Sequence, residues 1–464
     1  MFWITFTEED FVYLKSSLFT NDGKENACFA ICGYAKTENT IRLFPRKILP
    51  VPKGSYKIQT SLHLEIEPSF INHVIDEAES KFAILVIHSH PGNLSSNYSG
   101  SDDFGELRLF EVFSDLLPDI PHASLLFSES SIIGRYFTDG RFVQVDKMSV
   151  VGRQISFPLI KPSMQQTEKK RYKKLYDRQI LAFGKDFQDL LRHIRVGIVG
   201  VGGTGSLVAE EIVRMGITNL SLVDFDTFEM SNLTRMYGST QKDIRNKKPK
   251  VKIVSGHLKR INRNLKIKEI VGSVVYQETL IALRDLDIIF SCTDNDWSRS
   301  VLNRFSYQYL TPIIDMGLRI VIKEGLIKGA GGRVSIIGPG FPCLWTSHHL
   351  NAERIRTESM DSKERTKLEK EKYIEGYQTN APSVISLNSA LSSFAVTLFM
   401  AVFTGFSNLP RTASEQMYDA IAGEVFTSTP LEDPFCPICG DNGLKSLGDT
   451  QVVSAWSKQG DPGE

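Results

Sequence analysis

The sequence predicts an α/β protein of two domains: an N-terminal α/β domain, then a Rossmann-like domain with a mostly parallel sheet. Three observations predict it. Beyond residue 190, short apolar runs alternate with segments of helical period: "HIRVGIVG", "GSLVAEEIVRMG", "NLSLVDFD", "KPKVKIVSGHLKRIN", "DIIFSCTD", "SRSVLNRFSYQYL" and "PIIDMG". Such alternation implies parallel strands with helices on both faces. The first strand ends in Gly200-x-Gly202-x-x-Gly205, with Gly203 inside the turn, where a helix begins. Glycines there allow a tight turn and let phosphate approach the backbone, and the helix N-terminus favours the anion. Residues 1–150 instead mix apolar runs ("ACFAICGYA", "FAILVIHSH") with helical patterns ("PSFINHVIDEAESK", "DFGELRLFEVFSDLL").

Between these regions, "RQISFPLIKPSMQQTEKKRYKK" is rich in Pro, Gln and Lys and suits a linker over 151–171. The second domain is expected over 172–442, with a charged crossover at 351–380, a buried helix and terminal strands at 381–430, and a tail at 443–464. The charged stretch 351–376 reads as an exposed helix or a mobile crossover. The chain has 464 residues, enough for roughly two to four domains.

Lys plus Arg equals Asp plus Glu at 54 each, so no nucleic-acid or membrane-surface partner is expected. "MFWITFTEEDF" lacks the features of a secretory leader. The longest apolar segment, Ser392 to Gly405, is short for a bilayer span and reads as a buried helix. Six scattered cysteines suit thiols or a metal site better than a disulfide framework. A cytoplasmic location follows as the expectation.

"HSHPGNLSSNYSGSDD" (residues 88–103) closes an apolar strand with two histidines on one side of it. Imidazole suits zinc, and a carboxylate at a nearby helix start, Asp102, supplies a third ligand, leaving an open position. Ser99 could donate to a developing oxyanion, and Glu25, at the head of "ENACFAICG", is the candidate base. The plainer reading makes "SGSDDFGE" a helix cap, with Asp103 and Glu106 at capping-box spacing.

In the second domain Asp224 ends a strand where a carboxylate can bind ribose. The glycine turn and Asp224 alone would suit a nicotinamide-dependent dehydrogenase. Asn232, Arg235 and Lys250 downstream, Arg178 upstream and Asp294 at a strand end fit a different chemistry. A triphosphate attacked by a carboxylate needs fixed positive charge, and Asp294 can hold Mg²⁺ beside it.

Two resemblances follow from these motifs. Glu25, His88-x-His90-Pro, Ser99 and Asp102 resemble the motif of the JAB1/MPN/Mov34 (JAMM) metalloproteases over most of residues 1–150. That resemblance implies zinc on His88, His90 and Asp102, Glu25 as general acid/base, and Ser99 stabilising a tetrahedral intermediate. The His90–Ser99 spacer is slightly longer than the family's, so Ser101 and Asp103 stand beside the matched pair. "YDRQI", "GVGGTGS", "LVDFDTFEMSNLTR", "KPK", "SCTDND" and "DPFCPICG" resemble the ThiF/MoeB/E1 family of activating enzymes over roughly 172–442. That resemblance implies ATP as substrate, Asp224 on the ribose, the glycine turn, Asn232, Arg235 and Lys250 on the phosphates, and Mg²⁺ on Asp294. It implies a homodimer in which Arg178 reaches the partner subunit's ATP, and adenylation of a small protein's C-terminus.

Many relatives also hold a structural zinc on two Cys-x-x-Cys pairs. Here Cys436 and Cys439 form one pair; Cys343 survives of the other, with Thr346 in its partner's place and His348 or His349 as substitutes. The crossover, where the resemblance places a thioester cysteine, has none from Asn351 to Ala390. Unless Cys343 serves both roles, the activated protein passes directly to a thiol elsewhere, such as that of an E2-like conjugating protein. Cys28, Cys32 and Cys292 read as packing. The reading is therefore a fusion that activates a ubiquitin-like protein and cuts it or its conjugates. Sulfur-carrier activation and a non-enzymatic ATP-binding scaffold or sensor are the alternatives.

Overall fold

The computed structural model describes residues 1–92, 97–160, 174–360 and 382–453. It divides into two compact units. One comprises Met1–Gln166, Gln308–Leu310 and Leu444–Val452; the other comprises Thr167–Tyr307, Thr311–Gly443 and Val453–Glu464.

The first unit runs β1 (Phe2–Thr7), α1 (Glu8–Leu18), β2 (Ala27–Lys36), β3 (Ile41–Pro50), β4 (Tyr56–Gln59), β5 (Leu64–Ile66), α2 (Pro68–Glu77), β6 (Ala83–His90), α3 (Gly100–Leu116), β7 (Ala123–Ser128), β8 (Ile132–Thr138), β9 (Arg141–Gln144), β10 (Lys147–Val151) and β11 (Ile155–Ile160). Nine of these strands form one mixed sheet in the order β11-β10-β1-β3-β2-β6-β7-β8-β9. β6 is central and buried throughout, as its unbroken apolar run requires. Its side chains still alternate. Ala83, Leu85 and Ile87 join one core with Leu14 and Leu18 of α1, whereas Ile84 and Val86 join another with Val74 of α2 and with Phe110 and Phe113 of α3. Period two therefore aims His88 and His90 toward the α3 side of the sheet.

Two expectations change here. Residues 155–160 of the expected 151–171 linker form β11, paired antiparallel with β10. Ile155 and Leu159 are buried on that strand, a two-sided pattern masked in the sequence by its flanking Pro and Lys residues. Residues 161–171 lie outside the described ones. The expected tail at 443–464 also fails in part. Leu444–Val452 belongs to the first unit, and the Ser446 carbonyl lies 2.0 Å from where a Cβ on Gly33 would stand. Only a glycine on β2 lets that backbone approach so closely.

The second unit runs α4 (Asp177–Leu191), β12 (Arg195–Val199), α5 (Gly203–Met215), β13 (Asn219–Val223), α6 (Gln241–Arg245), α7 (Lys250–Ile261), β14 (Lys266–Ile270), α8 (Gln277–Ile281), β15 (Ile288–Ser291), α9 (Asp296–Gln308), β16 (Ile313–Lys323), β17 (Leu326–Ile337), α10 (Ala352–Glu358), α11 (Ile385–Thr404), β18 (Glu415–Asp419) and β19 (Glu424–Ser428). Its sheet has the order β14-β13-β12-β15-β16-β17-β18-β19. The first five strands are parallel, as expected of a Rossmann-like unit, and the last three extend the sheet antiparallel. Strand order reverses at β12 and β15, the position where open α/β sheets present a crevice.

The apolar helix is longer than its segment suggested. α11 spans 20 residues and is long and apolar enough to cross a membrane, with half of its most apolar window buried in the fold. It packs on α5, β16 and β17, and Ser392 Oγ donates to the Thr204 carbonyl at 3.1 Å. The charged crossover includes α10; residues 361–380 of it lie outside the described ones.

Candidate functional sites

In the second unit, register brings the glycine turn together with the strand ends at Asp224 and Cys292. Val199 pairs with Val223 on one side and with Ser291 on the other. Gly200, Asp224 and Cys292 therefore leave the sheet side by side. Gly200 has φ +86°, and a Cβ there would lie 2.6 Å from the Cys292 carbonyl. A Cβ on Gly205 would lie 1.9 Å from the Gly200 carbonyl, so the turn closes only on glycines. Gly202 faces open space, and no side chain caps the N-terminus of α5. The first-turn amides of that helix remain suited to an anion.

Asp224 is fixed by two backbone donors: Val201 N at 2.8 Å to Oδ2 and Asp226 N at 2.8 Å to Oδ1. Each oxygen keeps a lone pair for a hydroxyl. Burial raises its pKa, with Lys250 opposing the rise. Lys250 Nζ donates to Asp226 Oδ2 at 2.6 Å. Arg235 comes to the turn as well: its Cδ is 3.4 Å from where a Gly203 Cβ would stand. Asn232 is buried, and its Oδ1 accepts from Glu229 N at 3.0 Å, an interaction that holds the 229–232 turn. Asp294 is exposed two residues past Cys292. Arg178 is exposed at the start of α4.

Sequence reasoning missed Asn388. This buried residue of α11 puts Nδ2 2.5 Å from the Gly203 Cβ position. A lone Asn in "ISLNSALSSFAV" was the available signal.

Cys343, Cys436 and Cys439 place their sulfurs within 4.8 Å of one another, the geometry of a metal site. Thr346 fills the fourth corner, with Oγ1 3.4 Å from Cys343 Sγ and 3.3 Å from Cys439 Sγ. Neither substitute histidine serves. His348 is exposed, and His349 Nε2 lies 2.5 Å from Glu415 Oε1. A hydrogen bond from Cys439 holds the Cys343 thiol below the ordinary range and pushes the Cys439 thiol up. Cys343 is fully buried, so it presents no open nucleophile for a thioester. Burial raises the thiols of Cys28, Cys32 and Cys292, in keeping with packing roles.

In the first unit, His88, His90 and Asp102 bring one ligand atom each within 4.8 Å of the others. Asp102 Oδ1 is 3.5 Å from His88 Nε2, and Oδ2 is 3.5 Å from His90 Nε2. Burial raises the Asp102 pKa, but the two imidazoles beside it outweigh that and hold the carboxyl well below its usual range. Glu25 Oε1 stands 3.6 Å from His90 Nε2, and burial raises its pKa against the pull of both histidines. The donor set fits zinc. His88 Nε2 is buried and has no hydrogen-bond partner among the described residues, as a nitrogen reserved for a metal would be.

The capping alternative resolves differently from either expectation. The capping box is Ser99 with Asp102: Ser99 Oγ accepts from Asp102 N at 3.2 Å, and Ser99 N donates to Asp102 Oδ2 at 2.6 Å. Asp103 turns away to Arg135, and Ser101 Oγ pairs with Ser99 Oγ at 2.8 Å. One helix cap thus presents the Asp102 carboxylate to both imidazoles.

The ThiF family model matches residues 176–436. Molybdopterin-synthase adenylyltransferase of Escherichia coli (strain K12) is 27% identical over 267 residues, 57% of this chain and 95% of that protein. Sulfur carrier protein ThiS adenylyltransferase of Bacillus subtilis (strain 168) is 29% identical over 172 residues, 36% of this chain and 48% of that protein; there the match spans about half of the relative's length. The crystal structure of E. coli MccB with MccA-N7isoASN aligns at a TM-score of 0.47 and 17% identity, over 60% of this chain and 76% of that one. The family match covers the glycine turn, Asp224, Asn232, Arg235, Lys250 and Asp294, and spans more than half of the sequence. This chain belongs to the ThiF family.

Proposed function

We propose that the chain adenylates the C-terminal carboxylate of a small ubiquitin-like or sulfur-carrier protein, and that its N-terminal unit cuts that protein or its conjugates. The gathering of Asp224, Lys250 and Arg235 about the Gly200–Gly205 turn carries the first half. A carboxylate oxygen attacks the α-phosphorus of ATP; the bond to the bridging oxygen breaks, and pyrophosphate leaves. Both reactants are anions, so the barrier falls only where positive charge is fixed in advance. Lys250 and Arg235 supply that charge, Asp224 orients the ribose, and the α5 amides receive phosphate. Asp294 would hold Mg²⁺, which would supply further positive charge at the phosphates.

The relatives named above act, by their names, on molybdopterin synthase and on the sulfur carrier ThiS. A sulfur carrier is therefore as well supported as a ubiquitin-like protein. Arg178, exposed on α4, suits a role toward a second copy of the chain in a homodimer.

The grouping of His88, His90 and Asp102 favours the peptidase half. Zinc held there would supply an activated water for bond cleavage. Glu25 would move the proton between that water and the leaving amine. Ser99, the α3 cap, would donate to the oxyanion.

Incubation with ATP, Mg²⁺ and candidate Gly-terminated proteins, read by ATP–pyrophosphate exchange and intact mass, tests the proposal. Exchange that depends on a carrier, is lost in D294A and survives in H88A supports it. Sulfur in the product favours sulfur transfer; an isopeptide favours conjugation. ATP binding without exchange would make the second unit a scaffold and end the adenylation reading.

A further inference from the structure

We infer that Glu106 is a positioning residue for His88, holding the imidazole by Nδ1 so that Nε2 faces the metal position. The inference rests on the zinc reading of His88, His90 and Asp102. Glu106 sits on α3 one helical turn after Asp102, so one helix face delivers both carboxylates. Its Oε1 lies 3.8 Å from His88 Nδ1, and both side chains are buried. That gap is just beyond hydrogen-bond length, and a small turn of the ring closes it.

The other oxygen of Glu106 is fully used. Oε2 accepts from Ser124 Oγ at 2.7 Å and from Arg135 Nε at 2.8 Å, and Arg135 Nη2 also stands 2.8 Å from it. Oε1 is buried and has no hydrogen-bond partner among the described residues. An arginine partner alone would be met by both oxygens in the usual forked pairing. Here the guanidinium takes one and leaves the other toward the ring.

The surroundings prevent the carboxylate from swinging away. Arg135 is stacked between the Tyr98 ring at 3.7 Å and the Phe142 ring at 4.1 Å, and also pairs with Asp103. Tyr98 Oη meets Ser124 Oγ at 3.1 Å, and the Tyr98 ring stands edge-on to His88 with centroids 5.9 Å apart. A metal-binding imidazole commonly gives its second N–H to a carboxylate, which sets the tautomer and raises ligand basicity. The structure places Glu106 for that task.

The test is zinc binding by the full chain, titrated against a chelating dye, with the H88A variant subtracted to remove zinc held elsewhere. In E106Q, Arg135 and Ser124 still demand the amide oxygen, so the NH₂ faces His88 Nδ1. Nδ1 must then accept, and the proton moves to Nε2, where the metal should bind. Affinity at the His88-dependent site should fall about 10- to 100-fold. In E106Q/R135M the amide is free to turn its oxygen to His88, so much of the loss should be recovered. A merely structural Glu106 predicts no such rescue. E106Q binding zinc within about twofold of the parent, or a double variant no better than E106Q, overturns the inference. If the parent and H88A bind zinc alike, the zinc reading itself fails; zinc binding that H88A removes, E106Q weakens and E106Q/R135M restores supports both.

Discussion

Lys250 Nζ donates to Asp226 Oδ2 at 2.6 Å, two residues beyond Asp224. The lysine side chain is largely buried and its partner is half exposed. Water reaching the half-exposed carboxylate screens the pair, so its loss should cost only roughly 1 kcal/mol. In the proposed reaction the ammonium, whose charge acts on Asp224, has a larger role. K250A should lower carrier-dependent ATP–pyrophosphate exchange by about 10²-fold or more, with the melting temperature nearly unchanged. D226N should lose far less, since it frees the lysine without removing its charge. Equal losses in the two variants would make Lys250 only the partner of Asp226.

The glycines of the turn should separate by what surrounds them. G205A puts a Cβ 1.9 Å from the Gly200 carbonyl, a clash with backbone that only distortion of the turn relieves. It should both destabilise the unit and abolish ATP binding. Gly202 has φ −74° and open space around it. G202A should fold and melt like the parent while its methyl blocks phosphate, weakening ATP by about tenfold, or ~1.4 kcal/mol. Calorimetric titration and melting curves read both. Unchanged ATP affinity in G202A would move the phosphates away from this turn.

His122 should make the first unit acid-sensitive. It is buried just before β7, and its Nδ1 accepts from Ile84 N at 3.1 Å. Burial pushes its pKa down to about 4 from the ordinary 6.5. Above the ordinary value both folded and unfolded states are neutral and stability does not depend on this group. As pH falls from there toward 4, the unfolded chain takes a proton that the folded chain refuses, so stability drops by about 3 kcal/mol. H122Q keeps an acceptor for Ile84 N and does not titrate. Urea unfolding between pH 7 and pH 4 should show a shallower slope for H122Q; parallel slopes would remove His122 as the cause.

Legibility followed locality. The parity of β6 could be read from "FAILVIHSH", and it put both histidines on the α3 side, where the Ser99–Asp102 cap meets them. The glycine turn and Asp224 were legible because one strand-to-helix junction and one strand end define them. β11 was not, because its burial comes from pairing with β10 while its composition looks like a linker. The antiparallel extension through β17, β18 and β19 joins segments separated by the crossover, so no local period announces it. Glu106 was legible as a cap residue only. Its tie to His88 depends on Arg135 and Ser124, which arrive from β8 and β7 to occupy its other oxygen.

Thr346 offers the sharpest contrast between sequence pattern and chemistry. Its hydroxyl sits 3.4 Å from Cys343 Sγ and 3.3 Å from Cys439 Sγ, in the corner a fourth ligand would take. A neutral hydroxyl is a weak zinc ligand beside thiolate, which favours the metal electrostatically and by softness. T346C should complete a four-sulfur site on a backbone that already presents the side chain correctly. Each tenfold gain in zinc affinity adds about 1.4 kcal/mol of zinc-dependent stability. T346C should therefore melt higher than the parent with zinc present and hold its zinc longer against chelator, while the two should melt alike once zinc is stripped under reducing conditions. C439A should show the opposite, losing the zinc dependence of the second unit while that of the His88 site stays. If T346C gains nothing from zinc, the three sulfurs form a buried thiol cluster, and Thr346 is there to satisfy their hydrogen bonds.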